Sequence, residues 1–126
     1  MRHLYEGLDD FEGLVRVLTE REGGRHTPPL NGIRWDLRYF FQGEDQLSMV
    51  WPEFLDEAGD PIPPDRPLSG LLRARFFIIT DEMRGFHRLH ARPGVGFFCV
   101  EGPKVCAAGM VTRVTGLAEK TVTSEV

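Results

Sequence analysis

The chain has 126 residues, of which 41% are hydrophobic and 27% charged, and a formal net charge of −4. That length fits a single domain with an ordinary core, and that composition excludes a wholly disordered or fibrous chain. An acidic balance without runs of like charge is not that of an autonomous nucleic-acid binder, although it leaves room for a local basic face.

No apolar run approaches the ~20 residues that a membrane helix needs, and the opening MRHLYEGLDDFEG lacks the apolar core of a secretory signal. A soluble, cytoplasmic protein with no membrane partner is expected. The cysteines, Cys99 and Cys106, do not form a CxxC pair, so neither a zinc ribbon nor a thioredoxin-type motif is supported. They read as small core hydrophobes, with a disulfide conceivable if their strands form a hairpin.

Residues 1–10 form a mixed lead-in. Phe11–Thr19 predicts a strand, with Val15, Val17 and Thr19 on one face and Leu14, Arg16 and Leu18 on the other. Apolar side chains on both faces suggest a covered strand or one closed into a barrel. Glu22–Phe41 is the stretch around which the chain is organised. Gly23-Gly24 gives backbone freedom, Pro28-Pro29 stiffens the exit, and Ile33, Trp35, Leu37, Tyr39 and Phe41 then alternate with Arg34, Asp36 and Arg38. Strict alternation predicts a strand with one buried and one wet face, entered from a shaped loop. Such loops on fixed scaffolds carry binding residues.

Residues 42–45 predict a turn, and Leu47, Met49 and Trp51 alternate with Gln46 and Ser48 as a third short strand. Pro52–Gly70 holds five of the nine prolines, which argues against a central strand; Phe54–Ala58 is compatible with one helical turn inside a long connection. Leu71–Thr80 is the next strand, with Leu72, Ala74, Phe76 and Ile78 on one face. A turn at 81–85 leads to a short edge strand at Phe86–His90. Arg92–Gly94 turns into a strand at Val95–Val100, Glu101–Pro103 turns again, and Lys104–Val114 is the last strand. Its small residues Ala107, Ala108 and Gly109 permit a bend or another backbone close by. The stretch from Thr115 is polar, and the tail 117–126 is expected to be loose at its end. Six or seven short strands without a long amphipathic helix indicate an all-β barrel or sandwich.

Phosphate-binding glycine loops are absent: Gly94-Val95-Gly96 lacks the rest of a dinucleotide fingerprint, so no nucleotide is expected. His87 and His90 make an HxxH, which shares a face on a helix but not on the strand expected here, so no metal is expected either. His26 beside Thr27 invites comparison with a general base whose acid would be Asp36, Glu22 or Glu101. Without a nucleophile elbow it reads rather as a loop histidine bonded to backbone. Arg25, Arg34 and Arg38 either form an anion-reading surface or an ordinary solvated face.

At Glu22-Gly23-Gly24-Arg25-His26-Thr27-Pro28, followed by Gly32-Ile33-Arg34 and an aromatic strand, the chain resembles the C-terminal β-barrel domain of elongation factor Tu. Phe97 and Phe98, Glu101-Gly102-Pro103-Lys104 and Ala108-Gly109-Met110-Val111 are similar to that family's Phe, Glu-Gly-Gly-Arg and Gly-Ala-Gly-Val-Val sequence. The likeness spans about residues 11–116 and implies a six-stranded antiparallel barrel. In the family this domain packs on the GTPase domain, binds the T-stem side of aminoacyl-tRNA and helps contact the exchange factor. By position the resemblance places Arg25, His26 and Thr27 in the loop facing the GTPase domain and tRNA, with Gly102 and Lys104 in the second contacting turn. Phe40 stands where the family has a tRNA-contacting Arg, and Lys104 replaces an Arg. The chain has no counterpart of the family's GTPase and middle domains, so GTP hydrolysis is not expected of it, and without a recognisable catalytic constellation no other catalysis is expected either. The expectation is a cofactor-free module that binds a protein, with a translation factor or something that recognises one as a candidate, through Glu22, Gly23, Gly24, Arg25, His26, Thr27 and the 101–109 turn. The alternative is tRNA or other RNA bound by Arg25, Arg34, Arg38 and Lys104.

Overall fold

The computed structural model describes residues 8–43 and 46–119. The expectations for residues 1–7, for Glu44-Asp45 in the turn and for 120–126 in the tail fall outside these. Six strands run Phe11–Val17 (β1), Trp35–Tyr39 (β2), Ser48–Leu55 (β3), Gly70–Ile78 (β4), Gly96–Glu101 (β5) and Lys104–Val114 (β6). Short helices lie at Arg84–His90 (α1) and Gly116–Glu119 (α2). The strands close into one barrel in the order β1-β4-β3-β2-β5-β6, every neighbouring pair antiparallel. The expected all-β closed barrel is therefore what forms. Among the described residues no helix is long and apolar enough to cross a membrane.

The alternation in the sequence becomes the barrel interior. Phe11, Val15 and Val17 point in from β1, Trp35, Leu37 and Tyr39 from β2, and Ala74, Phe76 and Ile78 from β4. Phe11 stacks on Phe76 at 4.8 Å between ring centroids, and Phe97 meets Phe76 edge-on at 5.3 Å. Each buried ring contributes roughly 2–3 kcal/mol through lost apolar surface. The small run in β6 makes room for this cluster: a Cβ on Gly109 would sit 2.7 Å from the Phe97 ring and 2.9 Å from the Leu14 carbonyl. Cys99 and Cys106 are free and buried, and burial raises the Cys99 thiol well above its ordinary value.

Several expected boundaries shift. β2 is shorter than Ile33–Phe41: Ile33 packs at the edge of the core and Phe41 stacks on Tyr39 beyond the strand. β3 reverses the expected faces, because Ser48, Val50, Pro52 and Phe54 point inward while Met49 and Trp51 stay half-exposed. It also continues through Pro52 to Leu55, where a connection with one helical turn was expected. The Met49 carbonyl accepts from Ile79 of the β4 side, so Pro52, of opposite parity, turns its missing N–H toward β2. The β2–β3 ladder has already ended at the Trp35–Val50 pair, so no bond is lost there. The Asn31 side chain then takes the place of a strand: it accepts from the Phe54 N–H and donates to the Phe54 carbonyl, both at 2.8 Å.

The connection from 56 to 69 folds back over this end. Asp56 accepts from the Ala58 and Asp60 amides, each at 2.9 Å, Ile62 and Leu68 are buried, and the Leu68 N–H bonds the Pro29 carbonyl. The loop from 18 to 34, this connection and the turn at 102–103 form one end of the barrel, the rim. Segments 8–10, 79–95 and 115–119 form the far end.

There Phe86–His90 lies in α1, not in an edge strand. Arg84-Gly85-Phe86-His87-Arg88-Leu89-His90 has no β-branched residue, and a 3-10 turn at Asp81–Met83 leads into it. Arg84 pairs with buried Asp10 at 2.6 Å, and the other Asp10 oxygen accepts from the Ile78 N–H. Beyond β6 the chain is fixed before its end: Thr115 Oγ1 bonds Asp9 and Leu117 is fully buried.

Candidate functional site

The rim loop is built residue by residue. After β1, Thr19 caps a 3-10 turn, Glu20–Glu22, and its hydroxyl accepts from the Glu22 N–H at 3.2 Å while Glu22 Oε1 accepts from the Thr19 N–H at 2.9 Å. That backbone bond, with Arg16 donating to both Glu22 oxygens, holds the Glu22 carboxyl below its ordinary value. Gly23 then turns left-handed at φ 96. Gly24 is needed for another reason: a Cβ there would stand 2.5 Å from the Leu18 carbonyl oxygen.

Past the glycines, Arg25 reaches across the rim to β5. Its Nη1 donates to Glu101 Oε2 at 2.6 Å, and its Nε donates to the Thr27 carbonyl at 3.0 Å. The Trp35 indole N–H donates to the same Glu101 oxygen at 2.7 Å. Partial burial works against the Glu101 charge, but the Trp35 and Arg25 bonds outweigh it, and the carboxyl titrates below its ordinary value. Beside it, burial and then the Glu101 charge push the Cys106 thiol up to about 11, so no thiolate is available there. Lys104 Nζ comes within 3.5 Å of the Gly24 carbonyl, at the limit of a hydrogen bond. His26 is 84% exposed in its side chain and is bonded through Nδ1 to Glu20 at 2.7 Å.

Glu22, Gly23, Gly24, Arg25, His26, Thr27, Gly102 and Lys104 are thus gathered at the rim, with Gly102 in the β5–β6 turn at φ 59. Arg25, His26, Thr27, Glu101 and Lys104 line a shallow hollow of about 230 Å³. Arg34 is exposed at the entry to β2. Arg38 lies 5.2 Å over the Phe98 ring and borders a separate hollow that includes Gly102. The acid beside His26 is Glu20, and not Asp36, Glu22 or Glu101, because the 3-10 turn brings Glu20 back over the loop. The parts that sequence reasoning missed are Glu101 as the hub and Trp35 as its second donor. A signal existed: a core-facing indole at a strand end must find an acceptor for its N–H.

A second polar constellation closes the far end. His87, fully buried, is hydrogen-bonded through Nδ1 to the Tyr39 hydroxyl and through Nε2 to Ser48 Oγ, both at 2.7 Å. Burial drives the imidazole down to about 4; Asp10 opposes that, and Arg84 and His90 add to it. The ring is therefore neutral at physiological pH. Ser48 beside a histidine has the composition of a nucleophile and its base, yet Ser48, His87 and Tyr39 are all buried. Although the HxxH does lie on a helix, both His87 nitrogens are engaged, and His90 packs against Phe86 and Phe41. Among the described residues no group of three or more His, Cys, Asp or Glu is placed to hold a metal ion. No protein-family model matches the chain.

Proposed function

We propose that the protein is a non-catalytic binding module, similar to the C-terminal barrel of elongation factor Tu, that works in the cytoplasm and engages a protein partner through the 22–28 loop and the 101–109 turn. The observation that carries this reading is the convergence of those two segments at the Arg25–Glu101 bond of 2.6 Å. They present His26, Thr27, Gly102 and Lys104 on one exposed edge, over a scaffold already fixed by the capping box and by Trp35. A preorganised loop binds without the entropy cost of ordering it. The resemblance to the translation factor's barrel supports a translation factor, or a protein that recognises one, as the partner. Charge favours a protein over RNA, because Arg25 is neutralised by Glu101 and offers little to a phosphate.

A photo-crosslinking residue at Thr27, introduced in the native cell, tests this, with one at Arg88 on the far end as control. The expected result is a protein adduct from Thr27 alone, unchanged by ribonuclease. An adduct with RNA, or equal adducts from the two positions, would sink the reading.

A further inference from the structure

The inference rests on the rim reading and concerns the chemistry of the segment that docks there. The 25–29 loop stands as a wall between two hollows. On one side is the polar hollow of about 230 Å³ with Lys104 at its edge. On the other is a hollow of about 170 Å³ whose walls include Val17, Leu18, Pro28, Pro29 and Leu68. Arg25 and His26 border both. An extended chain presents every second side chain to the same surface, so one segment can reach over the wall and fill both.

The charges select the segment. Arg25 and Glu101 neutralise each other, and His26 is held by Glu20. Among the described residues Lys104 has only the 3.5 Å approach to the Gly24 carbonyl and keeps donors to spare. A single carboxylate complements it. A continuous polyanion would instead set neighbouring phosphates against Glu20 and Glu101. The second hollow is stiffened by its prolines and by the bond from the Leu68 N–H to the Pro29 carbonyl, and its walls are mostly apolar.

We infer that the rim receives an extended acidic segment of a protein partner, with a carboxylate on Lys104 and an aliphatic side chain two residues away between Val17, Pro28 and Pro29. Nitrogen-15-labelled protein titrated with a short synthetic peptide, Asp-Ser-Leu in Gly-Ser flanks, tests it. Saturable amide shifts are expected at Gly24 to Thr27, Leu68 and Lys104. The Lys-Ser-Leu and Asp-Ser-Ser counterparts should give none. Lys104→Gln should weaken binding about three- to five-fold, as for a partly exposed ion pair, and Lys104→Glu should abolish it. Equal binding of the lysine peptide, shifts away from the rim, no saturable shift, or the same shifts with an oligouridylate would each overturn the inference. If Thr27 crosslinks a protein while the Asp-Ser-Leu peptide fails, the rim reading stands and this inference alone falls; if Thr27 yields no protein either, both fall.

Discussion

At the far end Arg84 and Asp10 pair at 2.6 Å with 15% and 2% of their side chains exposed, while at the rim Arg25 and Glu101 pair at the same distance with 30% and 36% exposed. Identical bond lengths do not mean identical worth. Removing one partner of a buried pair strands a charge that water cannot reach, whereas water compensates much of the loss at a half-open pair. Asp10 also serves the Ile78 amide and lies beside His87's network, so the far end is a polar lock. The rim is held by accessible bonds, and a surface of that kind is the one that can meet a partner without first unfolding.

The largest expected effect tests the lock. Asp10→Ala should lower unfolding free energy by about 3–5 kcal/mol in denaturant titrations, and a loss below about 1 kcal/mol would erase the contrast between the ends. Next comes pH. His87 binds its proton near 4 when folded, against the ordinary 6.5 when unfolded. The unfolded chain therefore takes up the proton first as pH falls. Stability should be complete above about 6.5 and decline through the window down to about 4, by roughly 3 kcal/mol in total. Denaturant melts across that range, compared with His87→Gln, should show the variant lacking this slope. On the rim side, Trp35→Phe keeps most of the core ring but deletes the indole bond to a carboxylate, with an expected cost of about 2 kcal/mol. The smallest effect belongs to Arg25→Gln, about 0.2–1 kcal/mol. If that substitution instead cost as much as Asp10→Ala, the rim would be a lock as well.

Much of the barrel was visible in the chain, while the bonds that set its two ends apart were not. Period-two alternation marked β2 and β4, because one residue in two must face a filled interior. The glycine and proline punctuation of 22–29 marked the loop. Pro52 hid the continuation of β3, since sequence alone does not tell on which side of a strand the missing N–H falls or that Asn31 will stand in for a neighbour. α1 was hidden by Phe86 and His90, which in a seven-residue stretch fit a strand as well as a helix; the absent β-branched residues were the better guide. The His87 network was illegible because Tyr39, Ser48 and His87 are brought together only by barrel closure. The Arg25–Glu101 bond had the same difficulty, joining residues from the first and last thirds of the chain.

Barrel order also sets a timetable. β6 lies between β5 and β1, so Phe11 finds its partner Val114 and Val17 finds Ala107 only at the end of the chain. During synthesis the other strands can assemble as β1-β4-β3-β2-β5, an open sheet with unpaired groups along β1 and β5. Those are the template edges that invite pairing with a neighbouring chain. One segment, Lys104–Val114, then zips both edges at once, a late and long-range event of the kind that slows folding. Its small Ala107, Ala108 and Gly109 let it slide into that gap past Phe97, so the interval between emergence of β5 and arrival of β6 is when a nascent molecule is most exposed to its own kind.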